Sequence, residues 1–331
     1  MGEAYLTRRA FIQRSTCIAS GILVTASLPL LSCGAEKLVQ KTKASIIHSP
    51  RLGVGAPLSR SALTTMLDQG IRSITGYDDT AKAWNTLFHK NDVVALKVNC
   101  IGKEFGSTKP ELAYAIAASL KSYVGIPYEH SIIFDRYEEE LIKAGYLINK
   151  SSSGVQIYAS SDFSSPIHSG RIAMGLSTII TKECTALINV PLLKTHSGAH
   201  LTLNLKNHYG SIPTHIVQDS RLKFHSQDYE NIVLVNALAP LRGKTRLCIV
   251  DGIVAQYDQG PMANPLVQWN CNSIIMGTDP VAVDAIGLNI INEQRIAHNL
   301  KPFTINYLTW AEEEGLGVSS VDSIEVITKT V

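Results

Sequence analysis

Six cysteines occur in the 331 residues, and no two are spaced C-x-x-C. That absence excludes an iron–sulfur or zinc-ribbon framework built from the chain's own cysteines. Charge of one sign is missing too. With 30 basic and 28 acidic residues the formal net charge is +2, which leaves no electrostatic footprint for nucleic acid. No apolar run reaches the ~20 residues of a membrane span. There is no internal repeat, and nothing of low complexity beyond the Ser-rich turn Lys150–Gly154. What is present is a chain that is 45% hydrophobic and only 18% charged, enough to bury a sizeable core. One further absence is local. The stretch "VPLLKTHSGAHLTLNLKNHYGSI", Val190 to Ile212, contains no Asp or Glu, yet holds Lys194, His196, His200, Lys206 and His208.

The N-terminus reads Thr7-Arg8-Arg9-Ala10-Phe11-Ile12-Gln13, followed by a short apolar run from Cys17 to Leu31. Paired arginines, an apolar residue two places on and a short h-region describe a secretory signal. It resembles the signal of the twin-arginine pathway, which exports folded proteins. Leu30-Leu31-Ser32-Cys33-Gly34 resembles a lipobox with Cys33 as the lipidated residue, and several acyl chains suffice for stable anchoring. The expected organisation is a signal peptide over 1–33, a polar tether over 34–48 and one α/β domain over 49–331. The expected partners are the twin-arginine translocase and the membrane, reached through the lipid, and the expected place is the periplasm-facing side of the cell envelope. Losing residues 1–33 makes acidic and basic residues equal in number. Of the remaining cysteines Cys100, Cys184, Cys248 and Cys271, an oxidising compartment permits disulfides, but spacing does not pair them. Cys248, inside "LCIV", reads as a buried thiol.

Apolar runs of strand length alternate with longer helical patterns. Asp92–Val98, Ser131–Asp135, Thr185–Val190, Arg246–Asp251 and Asn272–Gly277 are predicted strands. Their hydrophobicity is continuous rather than alternating, which predicts a mostly parallel or mixed sheet covered by helices on both faces. Helices are predicted from Lys109, with Pro110 in the first turn, and from Thr278, with Asp279 as cap and Pro280 at the first position. Ser61–Gly70 and Tyr229–Ala237 are further helices, so the class is α/β. The carboxylate-free stretch reads two ways. A helix would start at a Ser197 cap and stop at Gly210; a strand would place Leu201, Leu203 and Leu205 on one face. Its start and stop signals favour the helix.

Polar residues recur where strands should end: Lys97, Asn99 and Cys100, then Asp135 and Arg136, then Lys194 and His196, then Asp251. Ligands of open α/β sheets bind at the carboxyl ends of strands. The expected site therefore uses His196, Lys194 and Asp251 catalytically, with His196 as acid or base near its ordinary pKa of ~6.5. Lys97, Asn99, Lys206, Asn207 and His200 would bind a small anion. Cys100 would be a nucleophile or soft ligand. Asp284, in an apolar helix, needs a cation; Lys97, Lys206 or a metal are the expected partners. His196, His200 and Asp284 would be the ligands of a divalent or transition metal.

Several of these motifs carry a resemblance. "DVVALKVNCIG", "STKPELAYAI", "INVPLLKTHSGAHLTLNLKNHYG", "IVDGI", "QGP" and "GTDPVAVDAIG" together resemble the DUF362 family across most of residues 50–315. The resemblance implies an activity that the family name leaves open. Some relatives carry ferredoxin-type cysteine motifs, which implies redox chemistry and a redox partner protein, but no iron–sulfur motif is written here. The expected function is an exported enzyme or cofactor-dependent protein acting on a small anionic substrate. A transition-metal protein and a non-catalytic anion-binding lipoprotein are the alternatives.

Overall fold

Val94–Val98, Ser131–Asp135 and Ala186–Val190, the runs without polar alternation, are buried along their whole length. They form the middle of a mixed, mostly parallel sheet, as expected for strands covered on both faces. The computed structural model describes residues 41–50, 52, 58–219, 224–225 and 229–331. Arg8, Arg9 and Cys33, and with them the signal and lipobox readings, lie outside the described residues.

In chain order the strands are β1 (Thr42–His48), β2 (Val94–Val98), β3 (Ser131–Asp135), β4 (Gln156–Ala159), β5 (Ile167–Ser169), β6 (Ile172–Met174), β7 (Ala186–Val190), β8 (Leu192–His196), β9 (His200–Leu201), β10 (Thr245–Gln256), β11 (Gln268–Gly277) and β12 (Ile324–Thr330). The main sheet has ten strands in the order β12-β1-β11-β10-β7-β2-β3-β4, with β8 lying along β10 and β9 along β8. Strands β4, β3, β2, β7 and β10 are parallel neighbours, while β11 runs against β10 and β1. β5 and β6 form a separate hairpin.

Successive residues of a strand face opposite sides. Val94 and Leu96 accordingly belong to the core on one face, together with Leu63, Met66 and Leu67 of the helix Arg60–Thr75 and Leu112 and Ile116 of the helix Pro110–Ser119. Ala95 belongs to the core on the other face, which also contains Val281 and Ile286 of the helix Pro280–Ala297. The side chain of Asp279 caps that last helix by accepting from the Val281 and Ala282 N–H groups, with Pro280 in its first turn. Among the described residues no helix is long and apolar enough to cross a membrane.

Two expectations change. Residues 42–48, expected within the tether, are strand β1, held parallel to β12 and antiparallel to β11. Strand β1 thus lies before the expected boundary at 49. The carboxylate-free stretch is neither one helix nor one strand. β7 passes through Pro191 directly into β8, which stays beside β10; the chain then turns through β9 and enters a short helix, Asn204–Asn207. Ser197 caps no helix, because it lies in the turn between β8 and β9, where its N–H donates to the Gly260 carbonyl in the "QGP" loop.

Candidate functional site

The carboxyl ends of β2 and β3 bring Lys97 and Asp135 together. Lys97 Nζ donates to Asp135 Oδ1 at 2.6 Å, to the Val98 carbonyl at 2.7 Å and to Asn207 Oδ1 at 3.2 Å. Both charges are buried, so their mutual pairing is what makes the burial tolerable. Asp135 Oδ2 accepts from the Cys100 N–H. Asn207 is the hub behind them. Its Oδ1 also accepts from Asn99 Nδ2, while its Nδ2 donates to the Lys97 carbonyl and to Asn189 Oδ1. Asn189 Nδ2 in turn donates to the Asn204 carbonyl and to His208 Nε2. His208 therefore carries its proton on Nδ1, facing Ser211 Oγ, a tautomer assigned from the network. Burial pushes His208 down to about 3, so it is neutral.

In front of this network lies a cavity of about 100 Å³, lined among others by Lys97, Asn99, Asp135, Arg136, Glu140, His196, Lys206 and Asn207. A space of that size admits several waters or one small anion. Two of its polar groups lack partners among the described residues: Asn99 Oδ1 and Arg136 Nε are buried with no hydrogen bond. Lys206 is also buried, and its Nζ lies 3.8 Å from the centroid of the Tyr209 ring with no acceptor among the described residues. Burial, with the Arg136 charge second, pushes Lys206 down to about 7. Glu140 is held above its usual range by burial and then by the Asp135 charge.

His196 is not the acid or base expected of it. Its Nδ1 accepts from the backbone N–H groups of Gly198 and Ala199, which fixes the proton on Nε2. Burial, then the charges of Lys206 and His225, push it down to about 3. A neutral ring with Nε2–H is a hydrogen-bond donor to whatever the cavity holds.

The remaining expected residues stand elsewhere. Lys194 is fully buried and donates to the Gly106 carbonyl at 2.7 Å, and burial pushes it down to about 7. Asp251 accepts from the N–H groups of Lys109 and Ile253. Gly106 and Lys109 both belong to the segment after β2, so Lys194 and Asp251 fix the loop that carries Asn99 rather than line the cavity. Asp284 found no cation: Asn204 N–H, Asn204 Nδ2 and Leu205 N–H donate to it at the start of the short helix. Burial pushes Asp284 up to about 7 against the pull of those donors. His200 stacks on Phe303, centroids 4.4 Å apart. The expected metal ligands His196, His200 and Asp284 are thus not assembled, and among the described residues no three His, Cys, Asp or Glu side chains stand together for an ion. Cys100 is buried, and burial raises its thiol far above the ordinary range, which removes the thiolate a nucleophile needs. Cys100, Cys184, Cys248 and Cys271 are all free.

The family model described as "Domain of unknown function (DUF362)" matches residues 94–289. The chain belongs to the DUF362 family. The match is shorter than the expected 50–315 but contains every residue that lines the cavity. No curated protein matches the chain. A crystal structure of a protein from Thermotoga maritima is similar at 11% identity and a TM-score of 0.41, over 74% of this chain. This DUF362 chain spans 60% of the length of that one. Sequence reasoning named Lys97, Asn99, His196, Lys206 and Asn207 for the site but gave Arg136 no binding role and missed Glu140. The signal for Glu140 was present: "DRYEEE" sets a carboxylate one helical turn past the end of β3.

Proposed function

We propose that this cavity binds a small anionic substrate, in an enzyme exported by the twin-arginine route and anchored by lipid at Cys33 on the periplasmic side. Arg136 and Lys206 hold the anion, Asn99 and Asn207 set its orientation, and His196 donates from Nε2. The observation that carries this reading is a pair of cationic side chains with unmet donors in one cavity: among the described residues Lys206 Nζ and Arg136 Nε have no acceptor, while Arg136 Nη2 donates to the Tyr137 hydroxyl. Three cations, Lys97, Arg136 and Lys206, face two carboxylates, Asp135 and Glu140, around that space, so an anion balances the lining. Lys97 and Asp135 already neutralise each other. Isothermal titration of the purified chain with inorganic phosphate, sulfate and short carboxylates tests the reading. Binding is expected, and Lys206→Met and Arg136→Met should each weaken it by about 1.5–3 kcal/mol, the scale of a charged hydrogen bond. No binding, or variants that bind like the parent, would overturn it.

A further inference from the structure

Three lysines converge on this region, and their surroundings differ. Lys97 Nζ makes three hydrogen bonds and Lys194 Nζ donates to a carbonyl. Lys206 Nζ alone has neither an acceptor nor a carboxylate partner among the described residues. Its nearest aromatic face is Tyr209, and it lines the cavity beside the guanidinium of Arg136. An amine with no hydrogen bond to break, held against a ring at one wall of a small polar cavity, is arranged for nucleophilic attack.

We propose that Lys206 is a nucleophile that captures a small oxo-carboxylate, such as glyoxylate or pyruvate, as an imine. This rests on the anion-site reading above, with Arg136 now the holder of the carboxylate and Lys206 set against the carbonyl carbon. The Nζ lone pair adds to that carbon, and the C=O π pair moves to oxygen. Oxygen gains a proton and nitrogen loses one, giving the carbinolamine. A second proton on the hydroxyl expels water, and the nitrogen lone pair closes the C=N bond. No electrons enter or leave, and the only leaving group is water.

The lining supplies what those steps need. Asn99 Oδ1, buried without a donor, can accept the carbinolamine hydroxyl. The Nε2–H of His196 can donate to the carbonyl oxygen. Glu140, held above its usual range, can carry the proton that leaves with water. Burial first and the Arg136 charge second lower the basicity of Lys206; of the carboxyls in the same lining, Asp135 is tied to Lys97 and Glu140 is itself raised by burial.

The test is reductive trapping. The full chain is incubated at neutral pH with glyoxylate and sodium cyanoborohydride, and adducts are mapped by peptide mass spectrometry. Lys206 should be modified faster than any exposed lysine by about tenfold or more, because ordinary lysines near pKa ~10.4 are almost wholly protonated there. Sulfate should slow that modification and leave exposed lysines unaffected. Lys206→Arg should abolish the fast adduct; if that variant does not fold, the sulfate competition on the parent protein decides alone. Sulfate binding without a preferred adduct at Lys206 overturns the nucleophile and leaves the anion site standing. Neither sulfate binding nor an adduct overturns both.

Discussion

Asp284 accepts hydrogen bonds from the backbone N–H groups of Asn204 and Leu205 at 2.8 and 3.0 Å, across a sequence separation of some eighty residues. This contact starts the short helix that carries Lys206 and Asn207. It explains why the helix begins at Asn204 rather than at Ser197: the carboxylate that satisfies its first N–H groups comes from the helix Pro280–Ala297.

Lys97 and Lys206 should respond oppositely to loss of charge. Lys97→Met leaves the Asp135 carboxylate buried and unpaired and should cost about 3–5 kcal/mol in urea unfolding. Lys206→Met removes an amine with no acceptor and should change stability by less than about 1 kcal/mol. Similar losses for the two variants would contradict this division between a structural and a ligand-facing lysine.

Gly210 closes the space behind the ion pair. A Cβ there would lie 3.0 Å from Lys97 Nζ and 3.1 Å from Asp135 Oδ1. Gly210→Ala should destabilise by about 1–3 kcal/mol through overpacking and weaken sulfate binding by displacing the cavity wall. Unchanged melting and binding would show that the pair can yield.

Sulfate affinity should depend on pH through Lys206. Its basicity is reduced to about 7 in the empty cavity, and an anion prefers the protonated amine. Binding should therefore take up a proton above pH 7, and affinity should fall about tenfold per pH unit there. Arg keeps its charge throughout this range, so Lys206→Arg should flatten the dependence.

His208 ties stability to acid. Its folded-state value is about 3 against ~6.5 unfolded, so below pH 6.5 the unfolded chain binds a proton that the native network refuses. Stability is lost as pH falls from 6.5 toward 3, by about 1.4 kcal/mol per unit from this group. Because Asp284 and His196 titrate too, the measurement is the difference between the parent and His208→Gln. The parent's advantage should shrink at that slope on acidification; a constant difference would remove His208 as the acid-sensitive group.

Export is tested separately. Arg8→Lys with Arg9→Lys should leave the precursor in the cytoplasm, and Cys33→Ser should release the protein from membranes. Fractionation with immunoblotting reads both, and normal export and anchoring would remove those assignments.

The α/β class, the buried central strands and the capped helix at Asp279 and Pro280 are legible in the chain alone, because each is written within a few neighbouring residues. The sequence also singled out Lys97, Asn99 and His196 as polar residues after apolar strands, and Lys206 and Asn207 in the carboxylate-free stretch, and the fold lines one cavity with these five. Tertiary structure alone decided their roles. Lys97 became structural because Asp135, on the neighbouring strand, lies 2.6 Å away, and Lys206 stayed free because no carboxylate among the described residues pairs with it. Lys194 and Asp251 turned to hold the loop after β2, and His196 lost its basic nitrogen to two backbone N–H groups. A side chain's charge state is set by the dielectric and the partners within a few ångströms. Those partners come from segments far away in the chain, and only the folded sheet brings them together.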